Sequence, residues 1–299
     1  MEESLLREFA EAKNKEKVQE FYEKALSILT TALDEMRETP GITALDYDDT
    51  RIFPMGDYTN DTFIDQTGEL EIVIATSNPQ IKVANLTFLK NFREAKTKKE
   101  KASIVNKGTF DEIIFNYASL LAQYFDDSSI ILIVNQGIKV LCLEEYGFKL
   151  LIRFATYSED DEEAVLNFWD PLLKKSKKIN LFLYNENMSK KDDETRGNYK
   201  KLVRVFKNIR KTILMNKWAV SSDLNKYFVE LITYNIPSSI MQDEDISLVF
   251  KKAINYLDNC NVLDFKSFDN KSNIDSFELA KVSYTKTKNF ISYLSKIAY

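Results

Sequence analysis

The sequence predicts an α+β fold in which a strand-rich part, residues 1–160, precedes a helical part, residues 161–299. Only 7 Gly and 5 Pro occur in 299 residues, which disfavours all-β folds with many tight turns and favours long helices. The residue pattern also shifts from strand-rich to helix-rich near residue 160. Because no Pro-rich or Gly/Ser linker marks this boundary, the two parts are expected to pack together.

The strand-rich part opens with one long predicted helix. Between Ser4 and Met36 apolar residues recur at steps of mostly three and four, as on one helix face, and Pro40 with the following glycine ends it. Short strands and turns follow, and the apolar run at residues 72–75 predicts a central, covered strand. Residues 83–108, which carry a run of lysines that includes Lys96, Lys98, Lys99, Lys101 and Lys107, are predicted to be helical or mobile surface.

The remaining elements follow from the same periodicities. Helical spacing covers residues 111–124. The runs Ile130–Leu143 and Phe148–Tyr157 are typical of strands and flank a glycine-containing turn, so they are predicted to pair antiparallel. After the acidic segment 158–163, the pattern up to Tyr299 predicts helices with polar connectors.

The composition excludes several kinds of site. With no histidine, Ser-His and Cys-His nucleophile pairs and His-rich zinc sites are excluded, whereas oxygen-ligated Mg²⁺ or Mn²⁺ is compatible. The net charge of −5 means that a polyanion would need a local basic patch. Cys142 and Cys260 lack a Cys-x-x-Cys spacing and are interpreted as reduced, buried thiols. The charged N-terminus and the lack of a long apolar run predict a soluble, cytoplasmic protein.

The segment Phe53–Thr76, FPMGDYTNDTFIDQTGELEIVIAT, carries the strongest functional signal. A turn at Gly56-Asp57 follows one predicted strand, and the triplet Glu69-Leu70-Glu71 begins the next. Alternation along a strand directs both glutamates of the triplet to one face. Carboxylates on one face are what a pair of bound metal ions requires.

A basic stripe is predicted on the helix Asn198–Asn216. Lys200, Arg204, Lys207 and Lys211 recur at steps of four, three and four residues, and apolar residues fill the opposite face. Such a stripe would suit an anionic ligand, but a solvated helix face has the same pattern, and both interpretations stay open.

The signature MGDYTNDTFIDQTGELEIVI, the helix NYKKLVRVFKNIRK and the segment YFVELITYNIP, in this order, resemble polymerase-β-like nucleotidyltransferases. The branch that the chain resembles contains oligoadenylate synthetases and bacterial cyclic-oligonucleotide synthases, and the resemblance covers most of the chain. It implies a nucleotidyltransferase palm, a small mixed sheet flanked by helices with a long N-terminal helix, packed on a C-terminal helical domain. It further implies that an NTP and Mg²⁺ or Mn²⁺ bind in the cleft between them, and it suggests bacterial antiphage signalling or an innate immune analogue.

The resemblance also assigns roles to residues. It gives metal binding and catalysis to Glu69 and Glu71, and nucleotide binding to Gly56, Asp57, Lys207, Lys226 and Tyr227. The turn would hold phosphates through backbone N–H groups, and Lys207 would contact the triphosphate. Two of these residues have an alternative role. Asp57 is also suited to cap its own turn, and Tyr227 is also suited to pack in the core.

Three positions depart from the family pattern. Asp57 puts a negative charge where a small, uncharged residue would face the phosphates. Glu69 is longer than the usual aspartate, which shifts its carboxylate relative to the tight geometry of Mg²⁺. Leu151 stands where the family has a third carboxylate that accepts the proton of the attacking hydroxyl, and Glu144 and Glu145 would reach the site only from a shifted hairpin.

Three functional hypotheses follow. The first is an active, Mg²⁺-dependent nucleotidyltransferase that makes a nucleotide second messenger or transfers a nucleotide to another acceptor. The second is a catalytically inactive member that binds a nucleotide, a nucleic acid or a partner protein as a sensor or adaptor, which the three departures favour. The third is an α+β interaction domain with an acidic surface, in which case the resemblance is accidental.

Overall fold

The computed structural model describes residues 1–12, 15–40, 45, 50–64, 69–77, 110–125, 130–133, 137–140, 149–157, 165–170, 175–215, 226–268 and 282–298. The chain forms two compact units. The helical unit consists of Met1–Lys13, Thr59–Asp65 and Leu183–Tyr299, and the sheet unit consists of Asn14–Tyr58 and Gln66–Phe182.

The helices are α1 (Glu3–Ala10), α2 (Lys15–Glu38), α3 (Phe110–Leu121), α4 (Leu181–Glu194), α5 (Asn198–Met215), α6 (Lys226–Tyr234), α7 (Ile246–Asn259) and α8 (Val282–Ala298). The strands are β1 (Thr50–Met55), β2 (Glu69–Thr76), β3 (Ile130–Ile133), β4 (Gly137–Val140), β5 (Lys149–Tyr157), β6 (Val165–Asp170) and β7 (Lys175–Asn180). Short 3₁₀ helices lie at Ser238–Met241 and Val262–Asp264. The mixture of sheet and helices confirms the predicted α+β class.

The strands form one mixed sheet in the order β1-β2-β5-β4-β3, and β6 and β7 continue it from the end of β5. β2 and β5 run parallel, whereas β1 with β2 and β4 with β5 are antiparallel. The run at residues 72–75 is fully buried in β2, as predicted for a covered central strand. The parallel pair places each residue of the acidic triplet beside a residue of β5.

The two faces of the sheet have different surroundings. On one face, the Phe154 ring of β5 meets Tyr117 of α3 edge-on at 5.9 Å between centroids, and the Tyr117 hydroxyl donates to the Leu29 carbonyl of α2. The other face carries an apolar cluster that includes Val73 and Ala155. Because residues two apart on a strand share a face, Glu71 lies on the same face as Val73, at the border of that cluster.

The helical unit has its own apolar core. Phe206 of α5 lies at its centre, with ring centroids 6.1 Å from Phe250 of α7 and 6.3 Å from Phe290 of α8. Asp245 caps α7 by accepting a hydrogen bond from the Ser247 backbone N–H. These three helices and α1 thus fix the scaffold on which the side chains of α5 are held.

Three predictions of local structure were wrong. The N-terminal region forms two helices, α1 and α2, where one was predicted, and α1 groups with the helical unit. The run Ile130–Leu143 contains two short antiparallel strands, β3 and β4. Residues beyond 163 continue the sheet as β6 and β7, so the observed boundary lies near residue 182 and the predicted one near 160 lies within the sheet unit. β7 was missed because its sequence, KSKKIN, has no apolar alternation, and it forms a strand by pairing with β6.

Other predictions fall partly outside the described residues. The segment 83–108, Cys142, Glu144 and Glu145 lie outside the described residues. Cys260 is a free, half-buried thiol, and its burial raises its pKa. Among the described helices, none is both long and apolar enough to cross a membrane.

Candidate functional site

The glycine turn lies directly against the second acid of the triplet. Gly56 follows β1 with φ +75°, a conformation that glycine adopts without the Cβ strain of other residues. A Cβ atom at position 56 would lie 3.3 Å from Glu71 Oε2 and 3.8 Å from Glu71 Cβ. The structure therefore brings together two of the predicted site residues, and the backbone at position 56 approaches the carboxylate closely because no side chain intervenes.

Asp57, the next residue of the turn, is buried. It is 4% exposed and interacts with other groups of the protein. Burial of a polar side chain requires such partners. The predicted position of Asp57 near the phosphates of a nucleotide stays a prediction.

The backbone register fixes the surroundings of the triplet. Glu69 pairs with Lys149 and Glu71 pairs with Leu151 on the parallel strand β5. Leu151 is buried, and its partner on the other side, in β4, is Lys139. The position beside Glu71 is therefore apolar, as the sequence alignment predicted.

An arginine that sequence reasoning missed completes this face. Arg153 lies two residues beyond Leu151 on β5, and its Nε is 2.5 Å from Glu71 Oε1. The N–H bond is not aligned as in a hydrogen bond, so the contact is an ion pair. The Glu71 side chain is 8% exposed and the Arg153 side chain 28%. Two-residue alternation in the sequence KLLIRF places Arg153 on the face of Leu151, and this signal was available from the sequence.

The described residues include only part of the two-metal site that the resemblance implies, because the Glu69 side chain lies outside them. They contain no group of three or more His, Cys, Asp or Glu side chains that would hold a metal ion. A divalent cation at Glu71 would have to share its carboxylate with the Arg153 guanidinium, which repels it. Leu151, which the sequence alignment assigns to the third carboxylate position, offers no oxygen ligand.

Lys207 lies in a closed network of the helical unit. Its Nζ donates to Glu230 Oε1 at 2.5 Å and to Thr62 Oγ1 at 2.9 Å. Thr62 Oγ1 in turn donates to Glu230 Oε1 at 2.8 Å, and Tyr184 Oη donates to Glu230 Oε2 at 2.6 Å. Burial and then the Glu230 carboxylate raise the pKa of Tyr184 well above its ordinary value. The predicted contact of Lys207 with a triphosphate is untested, and here its ammonium binds protein acceptors.

Arg204, one turn before Lys207 on α5, also binds backbone of the same unit. Its Nε donates to the Ala10 carbonyl and its Nη1 to the Asp61 carbonyl, each at 2.7 Å. Burial lowers the pKa of Arg204. Because Arg204 and Lys207 are 7% and 2% exposed, the interpretation of the central stripe as a solvated face was wrong. These two cations hold the segment Thr59–Asp65 instead.

The first residues of α6 were predicted to bind the nucleotide. Lys226 begins the helix, and its side chain lies outside the described residues. Tyr227 is half-buried and packs beside the apolar core of the helical unit, 5.5 Å from the Phe268 ring and 6.4 Å from the Tyr184 ring. This environment is the one that the core alternative predicts.

Sequence reasoning also missed Thr62 and Glu230. Glu230 is the one acid in the apolar helix sequence KYFVELITY, and an acid in that position indicates a buried partner. Thr62 had no comparable signal, because its partners come from residues more than a hundred positions later.

Comparison with known proteins identifies the C-terminal region. Residues 186–297 match the family model of the cGAS/DncV-like nucleotidyltransferase C-terminal helical domain. A cyclic nucleotide synthase of Staphylococcus haemolyticus is 26% identical over 226 residues, covering 69% of this chain and 70% of that protein. A cyclic UMP-AMP synthase of Rhodothermus marinus is 23% identical over 255 residues, covering 82% of this chain and 83% of that protein.

Solved structures share the fold over nearly the whole chain. The Rhodothermus marinus c-UMP-AMP synthase, solved with Apcpp and Upnpp, superposes with a TM-score of 0.68 at 17% identity, covering 99% of this chain and 96% of that one. The Elizabethkingia meningoseptica cyclic dinucleotide synthase, solved with GTP and Apcpp, gives a TM-score of 0.65 at 16% identity, covering 99% and 97%. These similarities confirm the predicted nucleotidyltransferase palm with a C-terminal helical domain.

Proposed function

We infer that this chain, which belongs to the cGAS/DncV-like nucleotidyltransferase superfamily, binds nucleoside triphosphates on the sheet face that carries Glu71. The reaction that we propose is the joining of nucleoside triphosphates into a cyclic nucleotide with release of pyrophosphate. Homology to two cyclic nucleotide synthases, over 69% and 82% of the chain, supports this reaction.

The observation that carries the proposal is the contact between the Gly56 turn and Glu71. A glycine with positive φ lets the backbone of a turn approach phosphate oxygens without a side chain in the way. The turn lies over the strand that carries the acidic triplet, with position 56 against the Glu71 carboxylate. A triphosphate held by the turn would thus lie beside the acids of β2.

The test of catalysis is incubation of the purified chain with radiolabelled ATP, GTP, CTP and UTP, singly and mixed, with Mg²⁺ or Mn²⁺. We expect a phosphatase-resistant product and release of pyrophosphate. Glu71→Ala should abolish the product, whereas Lys251→Ala, at an exposed position of α7, should leave its yield unchanged. Absence of pyrophosphate under every combination would contradict catalysis, but not nucleotide binding.

A second candidate function is nucleotide binding without turnover, in a sensor or adaptor. Two residues favour it: Leu151 offers no proton acceptor beside Glu71, and Arg153 pairs with the Glu71 carboxylate. The absence of histidine removes the commonest substitute for the missing base.

Calorimetry combined with the pyrophosphate assay separates the two candidates. Binding heat together with pyrophosphate release supports the synthase. Binding heat with no pyrophosphate, whether or not double-stranded nucleic acid is added as an activator, supports the sensor or adaptor. Absence of binding heat for all four nucleotides contradicts both.

A further inference from the structure

The pair Arg153–Glu71 presents a cation at the place where the family has a cluster of acids. The Glu71 carboxylate is almost covered, because its Oε2 faces the Gly56 turn and its Oε1 faces Arg153. Arg153 is the more exposed member of the pair, at 28% against 8%. A ligand that approaches this part of the face therefore meets a guanidinium rather than an open carboxylate.

The Arg153 guanidinium has N–H groups that bind none of the described residues. Of its nitrogen atoms only Nε has an ionic partner among the residues that the structure describes, and both Nη groups have none there. A carboxylate at one end of a planar guanidinium holds its orientation. The four remaining N–H bonds form the fork that matches two oxygens of one phosphate group.

The charges beside Arg153 determine which kind of ligand its guanidinium would bind. Leu151, which registers with Glu71, contributes no charge, so the net charge of the described pair and its neighbour is zero. An added phosphate would meet one accessible positive charge and one negative charge that is already compensated. A divalent cation would meet the accessible positive charge first.

We propose that Arg153, oriented by Glu71, binds the phosphate oxygens of a nucleoside triphosphate and does so without a divalent cation. This inference rests on the proposed function in taking a triphosphate as the ligand, and it concerns binding rather than turnover. Arg153 thereby supplies the positive charge that metal ions supply in the acid-rich version of the site.

The test is calorimetric titration of the full chain with ATP, GTP, CTP, UTP and inorganic tripolyphosphate, in EDTA and in Mg²⁺. The wild-type affinity for the nucleotide that binds best should agree within about threefold between the two conditions. In EDTA, Arg153→Ala should lower the affinity for nucleotide and for tripolyphosphate about ten- to hundredfold, because charge-assisted hydrogen bonds are lost. The affinity of Arg153→Lys, which keeps the charge but loses the forked pair of donors, should lie between those of wild type and Arg153→Ala.

Two further variants guard against a merely structural effect. Arg51→Ala removes an exposed arginine of β1 whose guanidinium lies over the Tyr157 ring, and it should leave the affinity unchanged. Glu71→Gln keeps an amide oxygen that can orient the guanidinium but removes the negative charge that repels an anion, so binding in EDTA should be at least as tight as in wild type. Circular dichroism shows whether Arg153→Ala folds. If it does not, the affinity of Arg153→Lys tests the proposal.

Several outcomes would overturn the proposal. Binding that requires Mg²⁺, or an unchanged affinity in a folded Arg153→Ala or Arg153→Lys variant, contradicts it while leaving the proposed function intact. Tighter Mg²⁺-dependent binding or faster turnover in Arg153→Ala would show that Arg153 excludes the metal instead. If wild type binds neither nucleotides nor tripolyphosphate in either condition, both the inference and the proposed function fail.

Discussion

The sheet unit and the helical unit each contain a glutamate whose carboxylate lies 2.5 Å from a basic nitrogen, and the two pairs differ in every other respect. Lys207 and Glu230 have side chains that are 3% exposed, and two hydroxyl groups also donate to the Glu230 carboxylate. Arg153 is 28% exposed, its contact with Glu71 is poorly aligned, and its Nη groups have no partner among the described residues.

The difference teaches that the distance within an ion pair does not indicate its role. A closed pair whose carboxylate has several donors is stabilised by its surroundings and is costly to open, so it serves structure. An open pair with unused donors gains from a further anion, so it is available for binding. The following predictions test this contrast, beginning with the closed pair.

The largest effect is expected from Lys207→Met. The substitution leaves the Glu230 carboxylate buried without its cation, which should lower the free energy of unfolding by about 3–5 kcal/mol. Urea unfolding followed by circular dichroism measures it. Lys207→Met combined with Glu230→Gln should recover most of the loss, because the uncompensated charge is gone. A loss below about 1 kcal/mol for the single variant would contradict the closed-network interpretation.

Gly56→Ala should have the next largest effect. Its φ of +75° disfavours any side chain, and the new Cβ would be 3.3 Å from Glu71 Oε2, so the free energy of unfolding should fall by about 2–3 kcal/mol. Gly197→Ala is the matched control, because Gly197 has φ +81° but nothing within 4 Å of the new Cβ. It should lose only about 1 kcal/mol and keep nucleotide affinity, which Gly56→Ala should lose. Equal effects of the two variants would argue against a special role for the turn.

Tyr184→Phe should have a smaller effect, since it removes one donor to Glu230 and leaves the others. We expect a loss of about 1.5 kcal/mol at pH 8, typical of a hydrogen bond to a charged group. The pKa of Tyr184 is raised on folding, so its contribution is complete below the pKa of an unfolded tyrosine and is lost as pH rises above it. The difference between wild type and Tyr184→Phe should therefore narrow above about pH 10. A difference that grows with pH would contradict the raised pKa.

The smallest effect is expected from Lys252→Ala. Lys252 pairs with Asp243 at 3.2 Å, but the two side chains are 50% and 30% exposed, and solvent screens the interaction. The melting temperature should change by less than about 1 °C in differential scanning calorimetry. A larger change would mean that exposure is a poor guide to the energetic weight of these pairs.

Local pattern was sufficient for much of the fold and for part of the site. The apolar run at residues 72–75 predicted the buried strand β2, and the alternation of Glu69 and Glu71 followed from it. Sequence alignment assigned Leu151 to the third carboxylate position of the family, and the register places Leu151 beside Glu71. In each case the information lies within a few residues of the chain.

What was missed depends on residues that are distant in sequence. The partners of Lys207 are Thr62 and Glu230, which no local periodicity connects to it. β7 is polar and becomes a strand only by pairing with β6, and α1 separates from α2 because its apolar face packs in the helical core. Exposure of Arg153 relative to Glu71 is a property of the folded surface, and composition does not report it.

The position of α1 has a consequence for the synthesis of the protein on the ribosome. Leu6 and Ala10 are buried in a core that also needs α5 and α7, and the Ala10 carbonyl is bound by Arg204. The apolar face of α1 must therefore wait for residues that emerge about 190 to 250 positions later, roughly 10 to 50 s at ordinary rates of translation. During that interval the sheet unit has all of its strands available before the helical unit can close, so a nascent chain is expected to form its sheet unit first.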